Sequence, residues 1–109
     1  MTSNQLIGSL SLGHDDFVHD VQFDFYGNQM ATCSSDQKIK IWHKVRAEPY
    51  SEQKYKWECK QTLAGNEGHS GAVWRVAWAD PEFGENGILA SCGYDKQIII
   101  WGEIEIQRQ

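Results

Sequence analysis

Residues 30–42 read MATCSSDQKIKIW, and residues 89–101 read LASCGYDKQIIIW. At this offset of 59, Met30-Ala31-Thr32-Cys33 meets Leu89-Ala90-Ser91-Cys92, Asp36 meets Asp95, Ile39 and Ile41 meet Ile98 and Ile100, and Trp42 meets Trp101. The Asp-to-Trp spacing is 6 residues in both copies. Upstream, an offset of 55 pairs His14 with His69, Val18 with Val73, Val21 with Val76 and Phe23 with Trp78. The four extra residues fall in a longer turn, Ala79 to Gly87. Self-similarity at fixed spacing sets the architecture before local propensity does.

Within each copy the period is two. Val21-x-Phe23-x-Phe25 and Trp74-x-Val76-x-Trp78 alternate apolar with polar or small residues, the pattern of half-buried strands. Ile39-Lys40-Ile41 and Ile98-Ile99-Ile100 are β-branched runs entered through the polar segments SSDQK and GYDKQ, so strand, turn, strand is predicted in both copies. Trp57 to Leu63 supplies a fourth strand to the first copy, and the polar stretch Lys44 to Lys56, with Pro49, is expected to be an exposed hairpin loop. No helix is predicted. Leu6-x-Gly8-x-Leu10-x-Leu12 is a candidate N-terminal strand, and Ile104-x-Ile106 leaves room for a short tail but not for a fourth strand in the second copy. The expected division is an N-terminal strand or extension over 1–13, a first repeat over 14–64 and a second repeat over 65–109 that lacks its last strand.

Composition narrows the function classes. The 109 residues are 40% hydrophobic and 23% charged, an ordinary globular balance that argues against disorder. Ten basic against fifteen acidic residues leave a net charge of −5, which disfavours a phosphate-backbone binder. No stretch approaches the roughly 18 consecutive apolar residues of a membrane span, and Met1 to Gln5 lacks the shape of a signal peptide, so cytosol or nucleus is the default expectation. Cys33, Cys59 and Cys92 form no C-x-x-C and are read as free thiols in a reducing compartment.

A His, two strands and Asp-x5-Trp, repeated at 55 to 59 residues, resembles the WD40 repeat of β-propellers. Trp42 is followed by His43 and Trp101 by Gly102, where the family name leads one to expect Asp. The resemblance implies a hydrogen-bonded tetrad in each blade: His14, Thr32, Asp36 and Trp42 in the first, and His69, Ser91, Asp95 and Trp101 in the second. The strings GHDDFVHDVQFDFYG, MATCSSDQKIKIW, HSGAVWRVAWADPEFG and ILASCGYDKQIIIW are similar to one branch of WD40 proteins, the nucleoporin of the Y-shaped nuclear-pore subcomplex, which is homologous to the WD40 subunit of the COPII outer coat. That resemblance implies a non-catalytic scaffold without cofactors, and an open propeller completed in trans by an α-helical scaffold nucleoporin, with other subunits of the Y-complex as further partners. It also implies residence at the nuclear envelope, and for the nucleoporin a second place in a TORC1-regulating complex at the lysosomal or vacuolar periphery. Completion would proceed by strand addition at an unpaired edge, expected on the first blade. Asp15, Asp16 and Phe17 are candidate partner-facing residues. The coat sibling, acting in transport from the endoplasmic reticulum, is the alternative within the fold.

The same residues admit other chemistry. His14, Asp16, His19 and Asp20 could hold a metal for hydrolysis, and His19-Asp20 resembles the HD dyad of metal-dependent phosphohydrolases. Those enzymes are helical, whereas this dyad enters a period-two strand and aligns with Trp74-Arg75 in the second copy. Cys33 and Cys92 are read as small buried side chains on equivalent strands rather than a reactive pair. The repeat-matched Trp42, Trp78 and Trp101 are read as blade core, with Trp57 and Trp74 lacking aromatic counterparts. Glu103 and Glu105 are expected to be solvated acids.

The repeat also changes what the length means. A blade takes roughly 40 to 45 residues and a ring needs at least four blades, so roughly 160 residues is the floor for a closed propeller. The expectation is two blades of an open propeller, either part of a longer chain or stable beside a partner.

Overall fold

The computed structural model describes residues 2–4, 9–84 and 87–102. Strands β1 (Val18–Phe23), β2 (Gln29–Ser34), β3 (Ile39–Arg46) and β4 (Tyr55–Leu63) form an antiparallel meander in chain order. A second meander holds β5 (Val73–Trp78), β6 (Ile88–Gly93) and β7 (Ile98–Gly102). The described residues contain no helix beyond single 3-10 turns at Gly65–Glu67 and Pro81–Phe83, the latter with Asp80 accepting the Glu82 N–H at 3.0 Å. The architecture is all-β, and the two sheets do not close into a ring.

The strands sit where the repeat predicts, with instructive differences at their ends. β1 stops at Phe23 rather than Phe25, because the Asp24 carboxylate accepts the N–H groups of Asn28 (2.9 Å) and Gln29 (3.2 Å) and turns the chain. Gly27 closes that turn at φ 72°, in the left-handed region open to glycine. The predicted loop from Lys44 to Lys56 is shorter than expected. Lys44, Val45 and Arg46 pair with Trp57, Lys56 and Tyr55, so the β3–β4 ribbon extends well into it. Polar cross-strand partners hold the ribbon: Lys56 pairs with Glu48, and the Lys44 ammonium lies 4.9 Å from the Tyr55 ring centre. The mutual hydrogen bond raises the Lys56 pKa and lowers that of Glu48. Residues 9–12 carry no strand, while residues 5–8 of the predicted N-terminal strand, Ile104, Ile106, Glu103 and Glu105 lie outside the described residues.

The blades meet through one apolar face each. In the β2–β3 register Ala31 opposes Ile41 and Cys33 opposes Ile39, which puts all four on one side of the first blade. They pack against Val73, Val76 and Leu89 of the second, flanked by Leu63, Trp78 and Trp101. Polar ties also cross the junction: Val76 N–H donates to the Asp20 carboxylate at 3.1 Å, and Trp78 Nε1–H donates to the Gln22 carbonyl at 3.0 Å. Fully burying an aliphatic side chain is worth about 1.5–3 kcal/mol. A net hydrogen bond is worth about 1 kcal/mol, so the apolar contact dominates the junction and the ties fix its register. β1 is more exposed than its alternation predicts: only Asp20 is half-buried, and Val21 and Phe23 face outward on the side of the sheet away from the second blade.

Both blades share two local distortions. The register slips at Val18/Asp20 and at Val73/Arg75, so His19 and Trp74 are the extra residues of equivalent β-bulges. The β2–β3 and β6–β7 turns place Gln37 at φ 73° and Lys96 at φ 68°. Non-glycine residues in that region cost about 1–2 kcal/mol, and glycine's greater freedom in the unfolded chain takes back about 0.5–1 kcal/mol. Gln37 is exposed and its backbone N–H to Ser34 survives any side-chain change. Gln37→Gly is therefore expected to raise stability by up to about 1 kcal/mol, read as a higher urea midpoint at constant slope; a lowered midpoint would contradict the turn geometry.

Candidate functional site

One rim of the molecule gathers most of the residues singled out in the sequence. In the first blade His14 Nδ1 lies 2.9 Å from the Asp36 carboxylate and His14 Nε2 lies 2.9 Å from Thr32 Oγ1. Trp42 Nε1–H donates to the same hydroxyl at 3.1 Å. The second blade repeats the arrangement, with His69 Nδ1 3.0 Å from Asp95, His69 Nε2 2.7 Å from Ser91 Oγ, and Trp101 Nε1–H donating to Ser91 Oγ at 3.0 Å. Donor and acceptor accounting gives a direction. The indole donates to the hydroxyl, the hydroxyl donates to Nε2, and Nδ1–H donates to the carboxylate. Among the described residues no buried side-chain nitrogen or oxygen lacks a partner.

Each carboxylate also organises backbone. Asp36 accepts the N–H of Asp15 (3.0 Å) and of Lys38 (2.9 Å), and Asp95 accepts those of Ser70 (3.0 Å) and Gln97 (3.1 Å). Burial alone would raise the Asp36 pKa, but the N–H groups of Asp15 and Lys38 and the His14 ring outweigh it and hold it below the ordinary 3.8. Asp95 follows the same balance: burial acts upward, and His69 and the Ser70 and Gln97 N–H groups pull it down further.

Asp15, Asp16 and Phe17 form the exposed link between His14 and β1. The Asp15 carboxylate lies 3.8 Å from Lys38 across solvent, a pair worth little on its own. Asp16 Oδ1 accepts the Phe17 N–H at 2.8 Å, and the Phe17 carbonyl accepts the Ser35 N–H at 2.9 Å, which leaves the phenyl ring outward. His14, Asp16, His19 and Asp20, the candidate metal ligands, do not converge on a common point. His14 is spent on Asp36 and Thr32, Asp16 on Phe17, His19 on the Ser35 hydroxyl, and Asp20 on Val21, Gln22 and Val76. Among the described residues no three His, Cys, Asp or Glu side chains converge on a common point.

Cys33 lies inside the blade junction, where burial first and the Asp20 charge second push its thiol up to about 12. Cys92 is half-buried and Cys59 exposed. Trp42 is buried, Trp78 and Trp101 flank the core, and Trp57 leans on Phe23 with ring centres 5.6 Å apart. Two features escaped the sequence reading. Asp20 ties the blades together, although its repeat counterpart is Arg75. Trp74 meets Tyr94 edge-on at 6.1 Å, in the place where the first blade has His19 and Ser35. The signal was present in the alignment, which pairs His19 with Trp74 and Ser35 with Tyr94.

Two concave regions flank the first blade. One, of about 410 Å³, lies between the blades and is lined by Gln29, Ile41, Lys60, Trp78 and Trp101 among others. The other, of about 660 Å³, opens on the far face and is lined by Leu10, Leu12, Val21, Phe23, Met30 and Trp57 with the base of the β3–β4 ribbon.

The WD domain, G-beta repeat pattern matches residues 4–43 and 57–102. Nucleoporin SEH1-B of Xenopus laevis and nucleoporin SEH1 of Homo sapiens and Bos taurus are each 47% identical over 96 residues, 88% of this chain and 23% of theirs. The chain thus spans about a quarter of the length of the curated relatives it matches.

Two measurements test the tetrads. Asp36→Ala leaves two backbone N–H groups and an imidazole without an acceptor, so it is expected to cost about 1–3 kcal/mol in chemical unfolding, and Asp95→Ala to lower the melting temperature; unchanged melting in both would remove the tetrads from the account of stability. Because the native Asp36 pKa lies below the unfolded 3.8, the unfolded chain binds more protons at acid pH. The stabilisation from this carboxylate is present above about pH 4 and is lost as pH falls through the lowered native value. Urea midpoints measured from pH 7 to pH 2.5 should fall less steeply at the acid end for Asp36→Asn than for the parent chain.

Proposed function

This chain belongs to the WD40 repeat family, and we propose that it acts as a non-catalytic scaffold and protein-interaction element of the nuclear-pore outer ring, within the Y-shaped subcomplex. The observation that carries the reading is the 47% identity to SEH1 nucleoporins across both blades. The geometry supports a binding role: the polar side chains of the tetrads are consumed in holding strands and turns together, while apolar surface and sheet edges are left for macromolecular contact.

In this reading an α-helical scaffold nucleoporin completes the propeller in trans. It lends a strand or blade at the first blade, where Val21 and Phe23 stand exposed beside the 660 Å³ recess. Main-chain pairing supplies affinity and the apolar recess supplies selectivity. Asp15, Asp16 and Phe17 form a second contact on the rim, an exposed phenyl ring beside two acids, suited to another Y-complex subunit. The His14 and His69 tetrads are structural, each bracing one blade. The place of action is the nuclear envelope, and the role is support of nucleocytoplasmic transport, including that of mRNA. The branch resemblance extends the proposal to a TORC1-regulating complex at the lysosomal or vacuolar periphery.

Affinity capture of the tagged native protein under gentle lysis, read by mass spectrometry, tests the pathway. Nucleoporins are the expected partners, and recovery of COPII coat subunits in their place would overturn the reading. In the same assay Asp15→Lys combined with Phe17→Ala should reduce recovery of at least one nucleoporin several-fold while leaving the melting temperature unchanged.

A further inference from the structure

The end of the sheets opposite the tetrads carries a second set of exposed aromatic rings. β1 leads away from the His14 link, so the β1–β2 turn over 24–28 and the β5–β6 connection beginning at Ala79 both lie at the far end. There Phe25, Tyr26 and Phe83 are 72%, 65% and 70% exposed, and Phe25 meets Tyr26 edge-on with ring centres 5.1 Å apart. Both turns are held by their own polar groups. Asp24 accepts the Asn28 and Gln29 N–H groups through its carboxylate and the Gly27 N–H through its carbonyl at 3.1 Å. The Asp80 carboxylate accepts the Glu82 N–H, and the Asp80 carbonyl accepts the Phe83 N–H at 2.9 Å. Rings mounted on turns fixed in this way have little backbone entropy left to lose on binding.

The two turns abut. Gln29 Nε2 donates to the Asp24 carboxylate at 3.4 Å and stands 3.3 Å from where a Cβ on Gly87 would be, while the Trp78 ring stands 2.9 Å from the same point. Gly87 has φ 96° and its N–H donates to the Gly84 carbonyl at 3.2 Å, which puts Phe83 one residue from the contact. Trp78 Nε1–H, bound to the Gln22 carbonyl, fixes the two strands at this end. Phe25, Tyr26 and Phe83 therefore belong to one surface made by both blades. A neighbouring blade covers the flat face of a sheet, whereas these rings stand on turns beyond the strand ends, so their exposure has a different origin from that of Ile98 and Ile100.

Charge selects what such a surface can hold. From His14 to Gln37 and from Val76 to Asp95 the chain contains no lysine or arginine, while Asp24, Asp80 and Glu82 flank the rings. Lys44, whose N–H reaches the Asn28 carbonyl at 3.0 Å, turns its ammonium over Tyr55, and Lys60 stands on the outer strand β4 across the cleft between the blades. Aromatic faces beside carboxylates attract a cation, and among cationic side chains the planar, weakly hydrated guanidinium stacks best on a ring while pairing with a carboxylate. The same sign of charge repels phosphate backbones and anionic membrane surfaces. We propose that this end of the blades is a docking site for a partner-protein segment in which arginines are interspersed with aliphatic residues. The guanidinium groups stack on Phe25, Tyr26 and Phe83 and face the Asp80 and Glu82 carboxylates, and the aliphatic side chains cover what remains of the ring surface. The site lies at the opposite end from Asp15, Asp16 and Phe17, and the inference does not rest on the pore assignment.

The test is fluorescence anisotropy on the purified native protein at physiological salt, with a labelled short peptide that alternates arginine and leucine. Saturable binding is expected. Phe25→Ser combined with Phe83→Ser should weaken it by about tenfold or more, since two ring contacts are lost. Glu82→Gln keeps the backbone N–H that closes its turn and should weaken binding several-fold, whereas Phe17→Ser at the opposite end should leave it unchanged. A lysine–leucine peptide should bind several-fold more weakly than the arginine peptide, and a glutamate–leucine peptide not at all. Unchanged melting temperatures and far-UV circular dichroism show that the variants are folded. The proposal is overturned if the arginine peptide does not bind, if the lysine peptide binds as well, or if the folded double variant binds like the parent. It is overturned equally if Phe17→Ser weakens binding as much as the double variant, or if phosphatidylserine vesicles or an RNA oligonucleotide bind in preference to the peptide.

Discussion

A carboxylate that is taken out of water must be compensated at every oxygen, and Asp36 and Asp95 are compensated only when three separated pieces of chain converge on them. His14 and Asp15 come from the link before β1, Lys38 from the far side of the turn, and Thr32 and Trp42 join through the imidazole. Breaking any one contact leaves an acceptor or donor stranded at a cost comparable to a fraction of a small domain's whole stability. The carboxylate thus acts as a three-way fastener between the entry segment, the β2–β3 turn and the sheet. In each blade the tetrad is accompanied by a bulge in the first strand and by a left-handed residue, Gln37 or Lys96, directly after the aspartate in the turn.

From that fastening the division of labour follows. Polar chemistry sits at the rim and is internally satisfied. Apolar chemistry sits on the flat faces, where Ala31, Cys33, Ile39 and Ile41 meet Val73, Val76 and Leu89. On the faces turned away from that contact Val21, Phe23, Ile98 and Ile100 stand exposed. A chain with such surfaces is suited to assembly work, which accords with the nucleoporin relatives.

The recurrence of MATCSSDQKIKIW as LASCGYDKQIIIW made the strands, the turns and the tetrad positions legible, because strong local period and spacing constraints act on those residues together. Burial was less legible. Alternation in Val21-x-Phe23 marks a face that wants covering, but covering depends on what stands beside the sheet. The β3–β4 ribbon was hidden for another reason: Lys44 and Lys56 look like loop residues, yet a cation over Tyr55 and a pairing of Lys56 with Glu48 in the connecting turn hold them in strands. The role of Asp20 across the junction is not legible in the sequence, because its partner, a backbone N–H 56 residues away, leaves no trace in side-chain spacing.

Cys33 adds a consequence of its own. A thiol enclosed between two sheets and held near 12 has almost no thiolate at neutral pH, and an alkylating reagent meets it only during the moments when the sheets part. Its own labelling rate in the native state, followed site by site beside Cys59 and Cys92, is therefore a clock for the breathing of the blade junction that needs no substitution in the chain.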